Sequence, residues 1–273
     1  MARLAIIAGQ GKLPLDVAKT ARAQGRDVYV FPIGGQADAD FSAFPAHPIR
    51  LGAVGQTRQY FNDFGCSELV MVGKVVWPSL AALRPDVAGV KLLGKMVKRG
   101  DDSVLRILSE FFAEGGVKTL PVQIFLDDRK MPSGAVVGGN LDNDATAMIA
   151  IGADLLALLG ASDVGQSAIV QNGRVLAIEA AEGTNAMIAR SKDLIDRSAG
   201  LAVFIKMQKS EQDQRLDTPF IGLDTVYAAA AAGIGVLAIE AQNVMLADDL
   251  HAITTACENH GIALVGISAT DTA

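Results

Sequence analysis

Apolar runs alternate with amphipathic stretches along the first half of the chain. Leu4 to Ala8 is a continuous apolar run, typical of a strand buried on both faces of a sheet, and Pro14 to Gln24 has helical periodicity. The same patterns predict strands over residues 28–33 and 68–76, and helices over residues 57–64, 89–98 and 102–113. Alternation of strand and helix predicts a parallel sheet with helices on its faces.

The second half mixes hairpin and helical patterns. Asn172-Gly173 between the apolar runs 168–170 and 175–178 predicts a hairpin, because a type I′ turn needs positive φ at both central residues. Further periodic segments predict helices over 145–159, 185–190, 225–232 and 248–259, and strands over 201–206, 236–240 and 263–267. We therefore expect a mixed sheet here, with parallel and antiparallel pairing.

A polar segment, Asp127 to Gly134, ends in turn-forming residues and separates the two halves. The predicted fold class is α/β: a Rossmann-like nucleotide-binding domain over residues 1–130, a linker over 131–140, and a second α/β domain over 141–273. The second domain is expected to carry the catalytic and lipid-binding residues.

Composition narrows the class of protein. The 273 residues are 50% hydrophobic with a net charge of −6 and no long basic run, which argues against DNA or RNA as a partner. Cys66 and Cys257 are far apart and form no CxxC pair, which argues against a disulfide scaffold and fits a reducing cytosol. The apolar stretches are too short to span a bilayer. We expect a soluble cytoplasmic protein that can still touch a membrane through a local patch.

The first candidate site is the segment Gly9-Gln10-Gly11-Lys12-Leu13-Pro14, between a predicted strand and a predicted helix. Backbone N–H groups and the helix dipole can hold a phosphate there, which makes Gly9, Gly11, Leu13 and Pro14 candidate ligand contacts. The alternative is a tight turn with Pro14 in the first helical turn. The third glycine of the dinucleotide fingerprint is missing, and a glycine pair alone favours neither interpretation strongly.

A second candidate is Asp101-Asp102, which opens a predicted helix. One aspartate fits N-capping, and the other is free to meet a metal or a ribose hydroxyl; the pattern does not assign the two roles. The three histidines form no pair at zinc-ligand spacing, so an oxygen site for a hard cation suits the chain better. No GxSxG nucleophile motif is present.

Short turns of the second half concentrate carboxylates, amides and a threonine between apolar runs, where side chains can converge on a ligand. Glu179 and Glu182 lie at and beyond the end of a hairpin strand, and Gly183-Thr184 predicts a helix entry with Thr184 as the cap. The alternative is a surface turn followed by an N-cap.

Cationic side chains follow in the same half. Lys206, Lys209 and Arg215 lie close in sequence to Asp217, and an anionic pyrophosphate needs such charges. The alternative for this run of charges is a solvated loop.

Several motifs occur together in one order along the chain. They are Leu13-Pro14, Gly100-Asp101-Asp102 with Leu105-Arg106, Asp163 to Gln166, Val175 to Glu179 with Glu182-Gly183-Thr184, and Arg215-x-Asp217-x-Pro219-x-Ile221-Gly222. In this combination the chain resembles the LpxI family of UDP-2,3-diacylglucosamine pyrophosphatases of the lipid A pathway. Two positions depart from the family pattern: Asn185 stands where aspartate is expected, and Trp77 where arginine is expected.

The resemblance implies a reaction and a setting. The reaction is hydrolysis of the pyrophosphate bond of UDP-2,3-diacylglucosamine to UMP and the acylated product 2,3-diacylglucosamine 1-phosphate (lipid X), with Mg²⁺ as cofactor. The resemblance also implies a homodimer with transient contact at the cytoplasmic face of the inner membrane. It makes Asp217 the catalytic residue and metal ligand, and it implies substrate contacts from Gly9, Gly11, Leu13, Pro14, Asp101, Asp102, Gln166, Glu179, Glu182, Gly183, Thr184, Lys206 and Arg215.

Two other function classes are alternatives to a hydrolase. A nucleotide-binding module that regulates a partner without turnover stays open as the alternative. An oxidoreductase is disfavoured, because the glycine fingerprint is incomplete and no matching acidic residue follows about 20 positions on.

Overall fold

The computed structural model describes residues 2–76, 79–96, 101–139, 141–160, 162, 164–209, 216 and 218–268. The chain divides into two compact units, and the boundary between their main parts lies between Asp127 and Asp128. One unit holds a parallel sheet and the other a mixed sheet, which confirms the predicted α/β class.

The first unit is built on a four-stranded parallel sheet in the order β2-β1-β3-β4. Two short 3-10 helices follow it at Val122–Phe125 and Asp127–Arg129. Its strands and α-helices, in chain order, are β1 (Arg3–Ala8), α1 (Leu13–Ala23), β2 (Asp27–Pro32), α2 (Val54–Asp63), β3 (Cys66–Val72), α3 (Leu80–Leu83), α4 (Val87–Met96), α5 (Asp101–Ala113) and β4 (Lys118–Thr119).

Aromatic side chains fill the core between this sheet and two of its helices. Phe31 of β2 meets Phe61 of α2 edge to face at a centroid distance of 4.9 Å, and Phe61 lies 5.0 Å from Phe112 of α5. All three rings are fully buried, and such pairs add about 1 kcal/mol each beyond the burial of their area. After α5, Gly116 has φ +86°, a left-handed conformation that commonly ends a helix.

The second unit is built on a six-stranded mixed sheet in the order β5-β12-β10-β8-β6-β7, in which β8, β10 and β12 are parallel. The pair β9 and β11 forms a separate small sheet. The strands and helices of the second unit are β5 (Gly134–Val137), α6 (Asn143–Gly160), β6 (Ser167–Gln171), β7 (Arg174–Ile178), α7 (Thr184–Ser191), β8 (Ala202–Lys206), β9 (Phe220–Ile221), α8 (Leu223–Ala232), β10 (Ile234–Glu240), β11 (Met245–Leu246), α9 (Leu250–Asn259) and β12 (Ala263–Ile267).

The hairpin β6–β7 turns as predicted. Asn172 has φ +50° and Gly173 has φ +71°, so both central residues lie in the left-handed region.

The helix α6 is long and apolar enough, by length and composition alone, to cross a membrane, a test that core helices of soluble proteins also pass. Its buried side chains, Met148, Ile149, Ala153 and Leu156, pack with residues of β6, β8 and β10. The fold therefore uses α6 as a core helix on one face of the mixed sheet.

The segment expected to be a linker, residues 131–140, contributes to the second core instead. Its residues Gly134–Val137 form β5, which pairs antiparallel with β12, and Met131 is fully buried. A Cβ on Gly266 would lie 1.7 Å from the carbonyl oxygen of Pro132, so glycine there permits the close approach. The strand β5 was not predicted because it is short, has polar flanking residues and pairs with β12, which is distant in sequence.

Both cysteines are free and buried, as their isolation in the sequence predicts. Burial raises the pKa of the Cys66 thiol and of the Cys257 thiol to about 11. Neither is a reactive thiolate near neutral pH.

Candidate functional site

Four polar side chains meet at one edge of the mixed sheet. Ser167 begins β6, Glu179 follows β7, Thr184 begins α7 and Lys206 ends β8. The antiparallel register pairs Ser167 directly with Lys206. This edge contains the carboxyl end of β8, and carboxyl ends of parallel strands are where α/β proteins commonly bind ligands.

The four side chains form one hydrogen-bonded chain. The hydroxyl of Ser167 donates to Glu179 Oε2 at 2.5 Å, and the hydroxyl of Thr184 donates to Glu179 Oε1 at 2.9 Å. Lys206 Nζ donates to Thr184 Oγ1 at 2.7 Å. Lys206 is only 3% exposed and Glu179 only 7%, so the two opposite charges sit in a low-dielectric setting, joined through one hydroxyl.

Thr184 does not cap α7, contrary to the prediction from the sequence. The N-cap is Gly183, with φ +81° and no side-chain cap. A buried carboxylate is a stronger acceptor than water or a neutral group, so the Thr184 hydroxyl turns to Glu179. The first turn of α7 thus lacks a side-chain cap beside the network, a setting suited to an anionic ligand.

Glu182, a predicted substrate contact, is paired within the protein. Arg190 of α7 donates to Glu182 Oε1 from Nε at 3.0 Å and from Nη2 at 2.8 Å, and also to the carbonyl oxygen of Ile178. The hydrogen bonds from Arg190 hold the pKa of the Glu182 carboxyl below its usual value. The pair ties the turn after β7 to α7, and a substrate contact from Glu182 stays a prediction.

Gln166 immediately precedes β6, at the end of the motif turn that begins at Asp163. Its carbonyl oxygen accepts from Met207 N at 3.0 Å, which joins the turn to the residue after Lys206. Its side-chain Oε1 is buried and has no hydrogen-bond partner among the described residues. A buried acceptor without a partner costs about 1–3 kcal/mol, so a ligand donor would suit this atom.

Gly165 packs this turn against the strand end that carries Glu179. It has φ +57°, and a Cβ there would lie 2.0 Å from the carbonyl oxygen of Glu179. We expect Gly165→Ala to lower the free energy of unfolding by more than about 2 kcal/mol, because a clash adds to left-handed strain. Gly261→Ala is the matched control, since Gly261 has φ +65° and open space around it. Equal losses in urea unfolding of the two variants would contradict the close approach at Gly165.

A further buried carboxylate was missed by the sequence analysis. Glu240 ends β10, is 7% exposed, and accepts from the backbone N–H of Gln208 at 2.7 Å and from Asn243 Nδ2 at 2.9 Å. It fixes the backbone two residues after Lys206. An acidic residue closing the apolar run 234–239 was the available signal.

The glycine loop of the first unit is closed by internal hydrogen bonds. Gly9 donates its backbone N–H to the carbonyl oxygen of Val72 at the end of β3, at 2.9 Å, and Gln10 donates to that of Lys74, at 2.8 Å. Gly11, with φ +90°, donates its N–H to Asp38 Oδ1 at 2.8 Å. This is the tight-turn alternative, with Pro14 in the first turn of α1. A phosphate at Gly11 would have to replace Asp38, a residue that the sequence analysis did not single out.

The other predicted site residues lie outside what the structure describes. They are Arg215, Asp217, Asp163 and Trp77, together with the side chains of Asp101 and Asp102, which open α5. Asn185, the departure in α7, accepts a long hydrogen bond of 3.5 Å from the Thr225 hydroxyl. Leu13 is half-buried at the start of α1.

The part of the chain that the structure describes contains no group of three or more His, Cys, Asp or Glu side chains that could hold a metal ion. Both oxygens of Glu179 and both of Glu240 already accept hydrogen bonds. Mg²⁺ is commonly held by one or two carboxylates with water and substrate phosphates, so a single carboxylate such as Asp217 fits that cation.

Comparison with known proteins shows that both halves of the chain are similar to the LpxI family. Residues 3–129 match the LpxI N-terminal domain, and residues 132–265 match the LpxI C-terminal domain. The UDP-2,3-diacylglucosamine pyrophosphatase LpxI of Caulobacter vibrioides is 31% identical over 275 residues, covering 98% of each chain.

Solved structures give weaker matches. A UDP-glucose 4-epimerase of Thermus thermophilus with NAD has a TM-score of 0.31 at 16% identity, over 52% of this chain and 41% of that one. The GalE-like L-threonine dehydrogenase of Cupriavidus necator has a TM-score of 0.35 at 9% identity, over 99% and 88%. Similarity at this level carries no argument about function.

Proposed function

This chain belongs to the LpxI family, and on that premise we propose that it hydrolyses the pyrophosphate bond of UDP-2,3-diacylglucosamine to lipid X and UMP. The hydrolase class and the lipid A pathway follow from the family. The observation that best supports the finer reaction is the buried chain Lys206–Thr184–Glu179 at the carboxyl end of β8, beside the uncapped start of α7.

The network suits an anionic substrate. Glu179, joined to Lys206 through the Thr184 hydroxyl, offsets part of the cost of burying the ammonium, and that ammonium would attract a phosphate near Thr184. Thr184 would turn its single hydroxyl proton from Glu179 to that phosphate, and the first N–H groups of α7 would donate to it as well. The buried oxygen of Gln166 would accept a hydrogen bond from the sugar part of the substrate.

We assign the chemical step to Asp217, which would position the attacking water. Asp217 would also hold Mg²⁺, which would supply positive charge to offset that of the diphosphate. Because Thr184 and Lys206 would hold the phosphate of the acylated sugar, UMP is the leaving group and water adds to the phosphorus nearest the sugar. Ser167 holds the Glu179 carboxylate, so its role is positioning.

Hydrolysis in ¹⁸O-labelled water tests both the activity and the direction of attack. The protein with UDP-2,3-diacylglucosamine and Mg²⁺ is expected to release UMP, with the label recovered in lipid X by mass analysis. Chelation by EDTA is expected to stop the release, and added Mg²⁺ to restore it.

Two results would contradict the proposal. Substrate bound but unchanged would support the alternative, a nucleotide-binding module without turnover. Label in UMP would contradict the assignment of Thr184 and Lys206 to the phosphate of the sugar.

A further inference from the structure

One face of α4 is exposed and carries apolar and cationic side chains together. Val87 is 76% exposed and Val90 58%, and Lys91 and Lys95 are exposed on the same helical face. The opposite face is anchored in the first core through Leu92, which is 5% exposed. The outward valines are therefore not required by the packing of the helix.

The sequence around α4 has a charge opposite to that of the rest of the chain. Residues 84–99 contain five Lys and Arg against one acidic residue, whereas the rest of the chain has 19 Lys and Arg against 29 Asp and Glu. Lys98 and Arg99, two of the five, lie outside the described residues and enter only as sequence. A basic segment in an acidic protein is a local feature that net charge conceals.

The single acidic residue of this segment is occupied within the fold. Asp86 accepts from the backbone N–H of Gly89 at 2.7 Å and of Gln56 at 3.0 Å, so it caps α4. Arg84, which precedes it, is exposed, and Arg50 lies beside Arg84 through a hydrogen bond of 3.5 Å to its carbonyl oxygen. The cationic set thus continues past the start of the helix.

We propose that this α4 face, defined by Arg84, Val87, Val90, Lys91 and Lys95, docks the protein on an anionic phospholipid bilayer. Lysines at the margin of an apolar patch keep their charged ends at the lipid headgroups while their stems cover apolar surface. Each basic residue near such a surface favours binding by roughly fivefold. The choice of a bilayer over an acidic protein rests on the proposed function, because a diacylated sugar nucleotide comes from a membrane.

Co-sedimentation with lipid vesicles tests the docking face without any substrate. The wild-type protein is expected to bind vesicles of about 30% phosphatidylglycerol in phosphatidylcholine, and to bind pure phosphatidylcholine vesicles at least about tenfold more weakly. The double variant Lys91→Glu/Lys95→Glu is expected to lose at least about 30-fold in affinity for the anionic vesicles. Val87→Ser/Val90→Ser is expected to lose about tenfold at unchanged charge.

The matched control is Lys19→Glu/Lys118→Glu, which makes the same change of net charge at exposed lysines of α1 and β4. Its vesicle affinity is expected to stay within about threefold of wild type. The proposal would be overturned if the control and the α4 variants lost equal vesicle affinity, or if the wild-type protein did not bind anionic vesicles. Thermal unfolding of each variant checks that the first unit is intact. Because no substrate is present, failure here leaves the hydrolase proposal untouched.

Discussion

Asp217→Ala is expected to lower kcat for UMP release by about a thousandfold while the protein stays folded. A carboxylate that positions water or binds the metal contributes about 10²–10⁴ in rate, and every carboxylate that the structure describes at this site already accepts hydrogen bonds. Asp217 lies outside the described residues, so its assignment rests on the family motif from Arg215 to Gly222.

The structure fixes the chain on both sides of residue 217. Upstream, Gln208 is held by Glu240, and Met207 is held by Gln166. Downstream, the carbonyl oxygen of Pro219 accepts from Met245 N at 2.9 Å, and β9 pairs with β11. Anchored flanking segments are what a catalytic carboxylate requires.

Asp224→Ala is the control for this prediction. Asp224 is an exposed aspartate in the first turn of α8, so its loss costs only about 0.3–1 kcal/mol of helix stability and should leave kcat within about twofold. Steady-state UMP release and thermal unfolding are measured for both variants. Near wild-type kcat in Asp217→Ala would show that the catalytic assignment is wrong.

The sequence predicted those parts of the fold that depend on neighbouring residues in the chain. Leu4 to Ala8 could only be a strand covered on both faces, and Asn172-Gly173 allows the left-handed turn that closes the hairpin. The strand β5 escaped prediction because four residues carry little periodicity and its partner β12 lies at the far end of the chain. Long-range pairing, and not propensity, decides such an edge strand.

The candidate site was predictable in its residue types but not in its bonds. Glu179, Thr184 and Lys206 stood out as charged or polar groups at element ends, yet their order in one chain depends on the register between β6 and β8. The same register brings in Ser167, which the sequence analysis did not assign to the site. Asp38 was missed for a similar reason, since its hydrogen bond to Gly11 spans 27 residues.

Thr184→Val is expected to lower kcat/KM by about a hundredfold and the free energy of unfolding by about 1–3 kcal/mol. Valine keeps the shape of the side chain but removes the hydroxyl that accepts from Lys206 and donates to Glu179. Both buried charges then lose a shared partner, and the phosphate loses a donor. Thr184→Ser, which keeps the hydroxyl, is expected to retain activity within about fivefold.

Thr57→Val is the control that shows what the loss of a buried threonine hydroxyl does to stability and to kcat/KM when the hydroxyl lies outside the site. Thr57 is more buried than Thr184, at 3% exposure, but its hydroxyl donates only to the carbonyl oxygen of Ala53 in α2, so its loss should change stability by less than about 1 kcal/mol and leave kcat/KM unchanged. Urea unfolding and UMP release are measured on all three variants. If Thr184→Val loses stability but keeps wild-type kcat/KM, the network only holds the fold together, and the phosphate contact assigned to Thr184 is wrong. If activity falls and serine restores it, the reaction requires the hydroxyl and not the packing of the threonine methyl group, because a packing defect would not be rescued by the smaller side chain.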